Sequence, residues 1–306
     1  MPALPFLLLD AFTETALGGN PCAVVLDAEN LTDSQMQRLA REFNQSETAF
    51  VRGTAATGFS ARYFTPAEEI PLAGHPTIAT ITALLHTGRL PLTGPRLTLP
   101  LTLLHGPVQI DVEAPTAAVG LPRVLMTQRR PVFGQLHDLA VVAPLFGLTP
   151  ADVLPGAPIQ TVSTGTPQLM LLLRDHAALR RACLADADGL DRYRAASDFF
   201  SSHLFCLGGA TTAGHTFARH FCTPPDVVED PVTGSATGGM AAYLWHYGHL
   251  AAPSFVAEQG HWMGRPGCVQ VHINGPREAI GSVQIGGTAV VVVEGHLRVD
   301  LVAAHN

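Results

Sequence analysis

Apolar and polar positions alternate along this chain in short runs punctuated by glycine and proline. The apolar run Pro5 to Phe12, the turn Gly18-Gly19-Asn20-Pro21 and the segment CAVVLD read as strand, tight turn, strand. Thr32 with Gln35 forms a capping-box signature, and Met36, Leu39, Ala40 and Phe43 then recur at helical spacing, which predicts a helix from Asp33 to Phe43. SETAFV and FSARYF read as short strands. Pro76 opens a predicted helix that closes near Gly88, with proline in the first turn and glycine just past the end.

The second half retraces this order. Gly165 and Pro167, ahead of an apolar strand, match Gly19 and Pro21, and Ala218-Arg219-His220-Phe221 matches Ala61-Arg62-Tyr63-Phe64. Glu69 to Leu90 then reappears without gaps as Glu229 to Leu250. The pairs Glu69/Glu229, Pro71/Pro231, Gly74/Gly234, Thr77/Thr237, Leu84/Leu244, His86/His246, Gly88/Gly248 and Leu90/Leu250 are identical, more than background composition supplies. This predicts a duplicated unit, with a second helix from Ala236 to Tyr247. A linker near Gly120 to Pro122 divides the chain into expected domains 1–122 and 123–306, with the C-terminal strand free to cross back to the first. The end of the chain, with CVQVHI, SVQIGG and TAVVVVEG, is strand-rich. Mixed sheets wrapped on long helices, one set per half, are expected.

Composition narrows the function. The 306 residues suffice for two domains that each bury a core, and 47% hydrophobic against 14% charged residues describes a globular chain. A net charge of -7 argues against a general nucleic-acid surface. All 18 basic residues are arginine, which excludes lysine Schiff-base, lysine-anchored pyridoxal phosphate and P-loop chemistry. Five cysteines without a CxxC pair indicate neither a disulfide framework nor a zinc ribbon. MPALPFLLLDAF reads as a strand rather than a signal peptide, and no apolar run approaches the roughly 18 to 20 residues of a membrane span. A soluble, cytoplasmic protein is expected.

Chemistry is expected where the repeat fails to repeat. Ile70 faces Asp230 and His75 faces Ser235, so two related scaffolds carry different polar groups at matching positions. Were the copies to pack about a pseudo-two-fold axis, their main helices could present free N–H groups to an anion in the cleft between them. Gly74 and Gly234, just before those helices, would let a carboxylate approach the backbone. Read alone, Glu47 is as well explained as a cap or solvated charge, Asp230 as a turn former and Ser235 as an N-cap. His75 is neither a favoured cap nor a common turn residue. The sets His215, His220, Cys222 and His246, His249 lack zinc spacing, and GSATGG lacks the order of a dinucleotide loop, so no metal and no cofactor is expected.

The motifs GNPCAVV, NQSETAFV, FTPAEEIPLAGHPT, EDPVTGSATG and EQGHWMGRPG, in this order, resemble the PhzF family of phenazine-biosynthesis isomerase-like proteins over essentially the whole chain. The resemblance implies an α/β (α+β) fold of two pseudo-symmetric diaminopimelate-epimerase-like domains, each a mixed, mainly antiparallel sheet around a central helix. It assigns an essential carboxylate to Glu47, the A-G-H-P histidine to His75, and the Asp and Ser of E-D-P-x-T-G-S to Asp230 and Ser235. Gln45 replaces the apolar residue usual before S-E-T, and Gly267 stands where serine is common. Related racemases use two cysteines, whereas here none of the five is expected in the key motifs. The implied activity is a cofactor-independent, acid/base isomerisation of a small carboxylated substrate of the trans-2,3-dihydro-3-hydroxyanthranilate type. The alternatives are an epimerase of another small acid or a non-catalytic ligand-binding protein with this fold. Glu47, His75 and Asp230 are the expected catalytic residues, and Gly74, Gly234 and Ser235 the expected substrate-binding ones. A homodimer is expected, with no nucleic-acid or membrane partner.

Overall fold

The structure is a computed structural model and describes residues 3–117, 119–223 and 228–298. The chain forms two units, one of Met1–Met126 with Gly286–Asn306 and one of Thr127–Ile285. The division falls at Met126/Thr127, and the chain re-enters the first unit at Gly286.

In unit 1, β1 (Leu4–Ala11), β2 (Asn20–Val25), α1 (Asp33–Phe43), β3 (Glu47–Thr54), β4 (Gly58–Phe64), β5 (Glu69–Ile70), α2 (Gly74–His86), β6 (Arg96–Leu103) and β7 (Gly106–Glu113) follow in order. The C-terminal strand Ala289–Leu297 pairs antiparallel with β1, β1 with β2, β3 with β4, and β6 with β7. Among the described residues, β2/β3 and β4/β6 are parallel, and each of these connections runs through a helix, as parallel neighbours require.

The two long helices of this unit obey different rules. α1 is amphipathic: Met36, Leu39 and Ala40 face inward, Thr32 caps the start with Gln35 completing the box, and Asn44 in the left-handed region (φ 51) ends it. α2 is buried on all sides from Gly74 to Leu84, because β1, β2, β3 and the C-terminal strand pack against it. It starts at Gly74, two residues before the expected position. The first four N–H groups of a helix have no partner inside it, so Pro76 sits at the third position without loss.

The connecting strand β8 (Arg123–Thr127) leads into unit 2, where β9 (Val132–His137), α3 (Leu139–Leu145), β10 (Ile159–Ser163), β11 (Pro167–Leu172), α4 (His176–Arg181), α5 (Ala187–Ala195), β12 (Ser201–Leu207), β13 (Thr216–Phe221), β14 (Glu229–Asp230), α6 (Gly234–His246), β15 (Ser254–Gln259), β16 (Gly267–Asn274) and β17 (Ser282–Gly287) follow. The C-terminal strand is β18. Among the described residues, β11/β12 and β13/β15 pair parallel, while β9/β10, β10/β11, β12/β13, β13/β14 and β15/β16 pair antiparallel. α6 is buried from Gly234 to Leu244 and packs on β10, β11 and β16. Among the described residues, no helix is long and apolar enough to cross a membrane.

The duplicated sequence has a direct structural use. Arg62 of β4 holds Glu69 of β5 through two parallel bonds of 2.7 and 2.6 Å, and Arg219 of β13 holds Glu229 of β14 through two of 2.7 Å. Each fork pins a two-residue strand to the sheet and so sets where the chain enters its central helix.

Candidate active site

Each central helix starts without a side-chain cap. Ala73 is the N-cap of α2, followed by Gly74, His75 and Pro76, and Thr233 is the N-cap of α6, followed by Gly234, Ser235 and Ala236. Ser235 is therefore not the N-cap expected from the sequence. It occupies the second helical position, the same place as His75. Thr233 takes the capping position but directs its hydroxyl to Asp230 Oδ2 at 2.6 Å. The first-turn N–H groups and the positive end of the helix dipole suit an anion at both starts.

In unit 1 three elements deliver the polar groups. Gly19 (φ 53) turns the chain into β2 so tightly that a Cβ there would lie 2.1 Å from the Ala11 carbonyl oxygen, and the next residue, Asn20, is fully buried. Asn20 Nδ2 donates to His75 Nδ1 at 3.1 Å. Glu47 begins β3 directly after α1, and its carboxylate oxygen Oε2 lies 3.1 Å from His75 Nε2.

Burial pulls the His75 imidazole from 6.5 down to about 3, so it is neutral near pH 7. With Asn20 donating to Nδ1, the neutral ring carries its proton on Nε2, the nitrogen beside Glu47. Close contact alone would equally suit an ion pair, but His75 is only 2% exposed and Nε2 lacks the alignment of a hydrogen bond. The arrangement brings an imidazole N–H and a carboxylate together at 3.1 Å.

Cys22 departs from expectation. It lies in the GNPCAVV motif and is the register partner of Glu47 across β2 and β3. Burial, then the Glu47 charge, pushes its thiol well above the ordinary range, so it stays protonated.

In unit 2, Asp230 ends β14 and is 6% exposed. Gln259 braces the loop that follows: its Nε2 donates to the Asp230 carbonyl at 2.7 Å, and its Oε1 accepts from the Thr233 backbone N–H at 3.1 Å. Gly260 allows this approach, because a Cβ there would meet the Arg265 and Pro231 carbonyl oxygens at 2.3 and 2.7 Å. Beneath the helix start, Gln128 Nε2 donates to the Gly234 carbonyl at 3.0 Å while its Oε1 accepts from Thr164 at 2.6 Å.

The structure thus brings Glu47, His75 and Gly74 together in unit 1, and Asp230, Gly234 and Ser235 together in unit 2. Sequence reasoning missed Asn20, Gln259, Thr233 and Gln128 as supports. The first three stand inside the quoted motifs, whereas nothing in the sequence marks Gln128. Among the described residues, no group of three or more His, Cys, Asp or Glu is arranged to hold a metal ion.

A mainly antiparallel α/β unit wrapped on a buried helix, built twice, is the diaminopimelate-epimerase-like fold. A hydroxyproline epimerase from Agrobacterium vitis shares the fold at a TM-score of 0.69 and 13% identity, over 97% of this chain and 91% of that one. The family model for phenazine biosynthesis-like proteins matches residues 9–295, and the chain belongs to this PhzC/PhzF family of isomerases. It is 33% identical to the uncharacterized isomerase YddE of Salmonella typhimurium over 93% of this chain and 95% of that one. It is 31% identical to the trans-2,3-dihydro-3-hydroxyanthranilate isomerase of Pseudomonas chlororaphis, with coverage of 95% and 98%. The crystal structure of a PhzF-family phenazine biosynthesis protein from Bacillus anthracis superposes with a TM-score of 0.83 at 29% identity, covering 97% and 99%.

Proposed function

We propose that this isomerase works without a cofactor and moves a proton, and with it a double bond, in a small carboxylated substrate, with Glu47 as the base. The observation that carries the reading is the 3.1 Å contact of Glu47 with the neutral, Nε2-protonated His75 at the uncapped start of α2. Glu47 takes a proton from an activated carbon and returns it at another, and the His75 N–H stabilises charge that develops meanwhile. The carboxylate-binding groups are the backbone N–H at Gly74 in unit 1 and, in unit 2, the backbone N–H at Gly234 with the Ser235 hydroxyl. Asp230, its carboxylate oriented by Thr233, is a further proton-handling group required for turnover. The Pseudomonas chlororaphis relative supports a substrate of the trans-2,3-dihydro-3-hydroxyanthranilate type.

Turnover of that compound is the test. Glu47→Gln keeps the shape and removes the base, so kcat falls at least ~100-fold while the fold persists. Near-normal turnover by the folded variant would overturn the assignment.

The active species is proposed to be a homodimer. Family resemblance supports this, together with the partly exposed valines of β18, of which Val293 is 44% exposed. Light scattering decides it, and a monomer at micromolar concentration counts against it.

A further inference from the structure

Unit 2 repeats the strand register of unit 1, and this gives Glu47 a counterpart. In unit 1, Cys22 lies opposite Glu47 and Ala49 opposite Tyr63. In unit 2 the same places hold Gln168 opposite Ser201 and His203 opposite His220. The next pairings also agree, with Tyr63 facing Ile70 and His220 facing Asp230. Ser201 therefore stands to the start of α6 as Glu47 stands to the start of α2. The carboxylate and imidazole of one unit are replaced by two hydroxyls, Ser201 and Ser235, in the other. Serine is two carbons shorter than glutamate.

Ser201 is also clamped. Its Oγ donates to Gln168 Oε1 at 2.5 Å. A hydroxyl has one proton, so the 2.9 Å contact with His220 Nε2 is an imidazole N–H donating to Ser201. The ring of His220 is buried and neutral and therefore accepts at Nδ1, where His203 Nδ1 lies 3.2 Å away as the donor. His203 Nε2 is left as a bare acceptor, and it is indeed a buried nitrogen without a hydrogen-bond partner. The donor of Ser201 and one of its two acceptor sites are thus used internally.

We propose that Ser201 is a specificity residue of the unit 2 site, offering a ligand only a hydrogen-bond acceptor, with His203 and His220 as the pair that positions it. The inference rests on the carboxylate site at Gly234 and Ser235 proposed above. It selects carboxylic acids that carry an N–H or O–H donor, and it disfavours a second carboxylate at that place, which would meet a lone pair.

Calorimetric titration of the full chain with 3-hydroxyanthranilate and with benzoate tests this, since both probes carry the ring carboxylate and only the first has donors. The unsubstituted protein is expected to bind 3-hydroxyanthranilate about 10-fold tighter, the scale of one hydrogen bond. Ser201→Ala closes most of that gap by weakening 3-hydroxyanthranilate alone. A gap that survives the substitution, or equal weakening of both probes, overturns the inference and leaves the carboxylate site standing. Binding of neither probe to the unsubstituted protein overturns both. Nitrogen-15 NMR of the histidines tests the positioning pair without a ligand or a substitution. His220 should be the neutral Nε2–H tautomer and His203 the neutral Nδ1–H tautomer, and an imidazolium or the opposite tautomers would refute the clamp.

Discussion

His75 Nε2 lies 3.1 Å from Glu47 Oε2, and the ring is held from its other side by Asn20, whose amide donates to Nδ1 at 3.1 Å. The starts of β2, β3 and α2 meet in this one contact. The Asn20 amide, by donating to Nδ1, decides which imidazole nitrogen carries the proton.

Replacing Asn20 with Ala should therefore affect chemistry more than binding. Turnover is expected to fall on the order of 10-fold, with KM little changed, and the buried Nδ1 left unpaired should cost ~1–3 kcal/mol of stability. Steady-state kinetics with urea unfolding of the same sample checks both. An unchanged kcat in a folded variant would remove Asn20 from the positioning role.

The buried imidazoles make stability depend on pH. Desolvation holds His75 and His220 at about 3 and His203 well below 6.5. Between these values and 6.5 the unfolded chain binds protons that the folded chain does not. Stability is thus fully present above about pH 6.5 and is lost as pH falls toward 3, at about 1.4 kcal/mol per pH unit for each imidazole. Urea midpoints measured from pH 7.5 down to 4.5 should be level at first and then decline. A level profile throughout would contradict neutral burial.

The duplicated forks should matter equally in both units. Arg219 and Glu229 are 17% and 20% exposed, and Arg62 and Glu69 are 21% and 19% exposed, so water screens each pair only in part. Glu229→Gln or Glu69→Gln is expected to cost ~1–2 kcal/mol. Glu229→Gln should also lower turnover, since β14 carries Asp230. Thermal unfolding and kinetics on the two variants test this, and a change below about 0.3 kcal/mol in both would mean the forks do not hold the short strands.

Thiol reactivity separates this chemistry from a two-cysteine racemase. Cys183 and Cys268 are exposed, while Cys22 and Cys206 are buried with thiols shifted upward, Cys206 to about 12. A disulfide reagent at pH 8 should modify the exposed pair within minutes and reach Cys22 and Cys206 only after unfolding, with turnover retained. Rapid inactivation that maps to Cys22 would reopen thiol chemistry.

The sequence alone determined the elements whose signals are local, together with the fact that they occur twice. α1 runs from Asp33 to Phe43 as its capping box and apolar spacing predict, because an amphipathic helix writes its buried face into its period. α2 is legible through Pro76 and Gly88 at its ends and α6 through the repeat, since a helix buried on all sides has no polar stripe. Both helices begin two residues before the Pro76 and Ala236 that the sequence predicts, at Gly74 and Gly234, because the orphan N–H groups of the first turn tolerate proline and serine inside it. The family motifs marked Glu47, His75, Asp230 and Ser235. Tertiary structure decided what each of them touches: Asn20 against His75, Cys22 beside Glu47, Gln259 bracing Asp230, and Gln168, Ser201, His220 and His203 in one chain of hydrogen bonds. Those contacts join residues 17 to 55 positions apart. They depend on strand register, and a one-residue slip would turn every side chain of a strand to the opposite face.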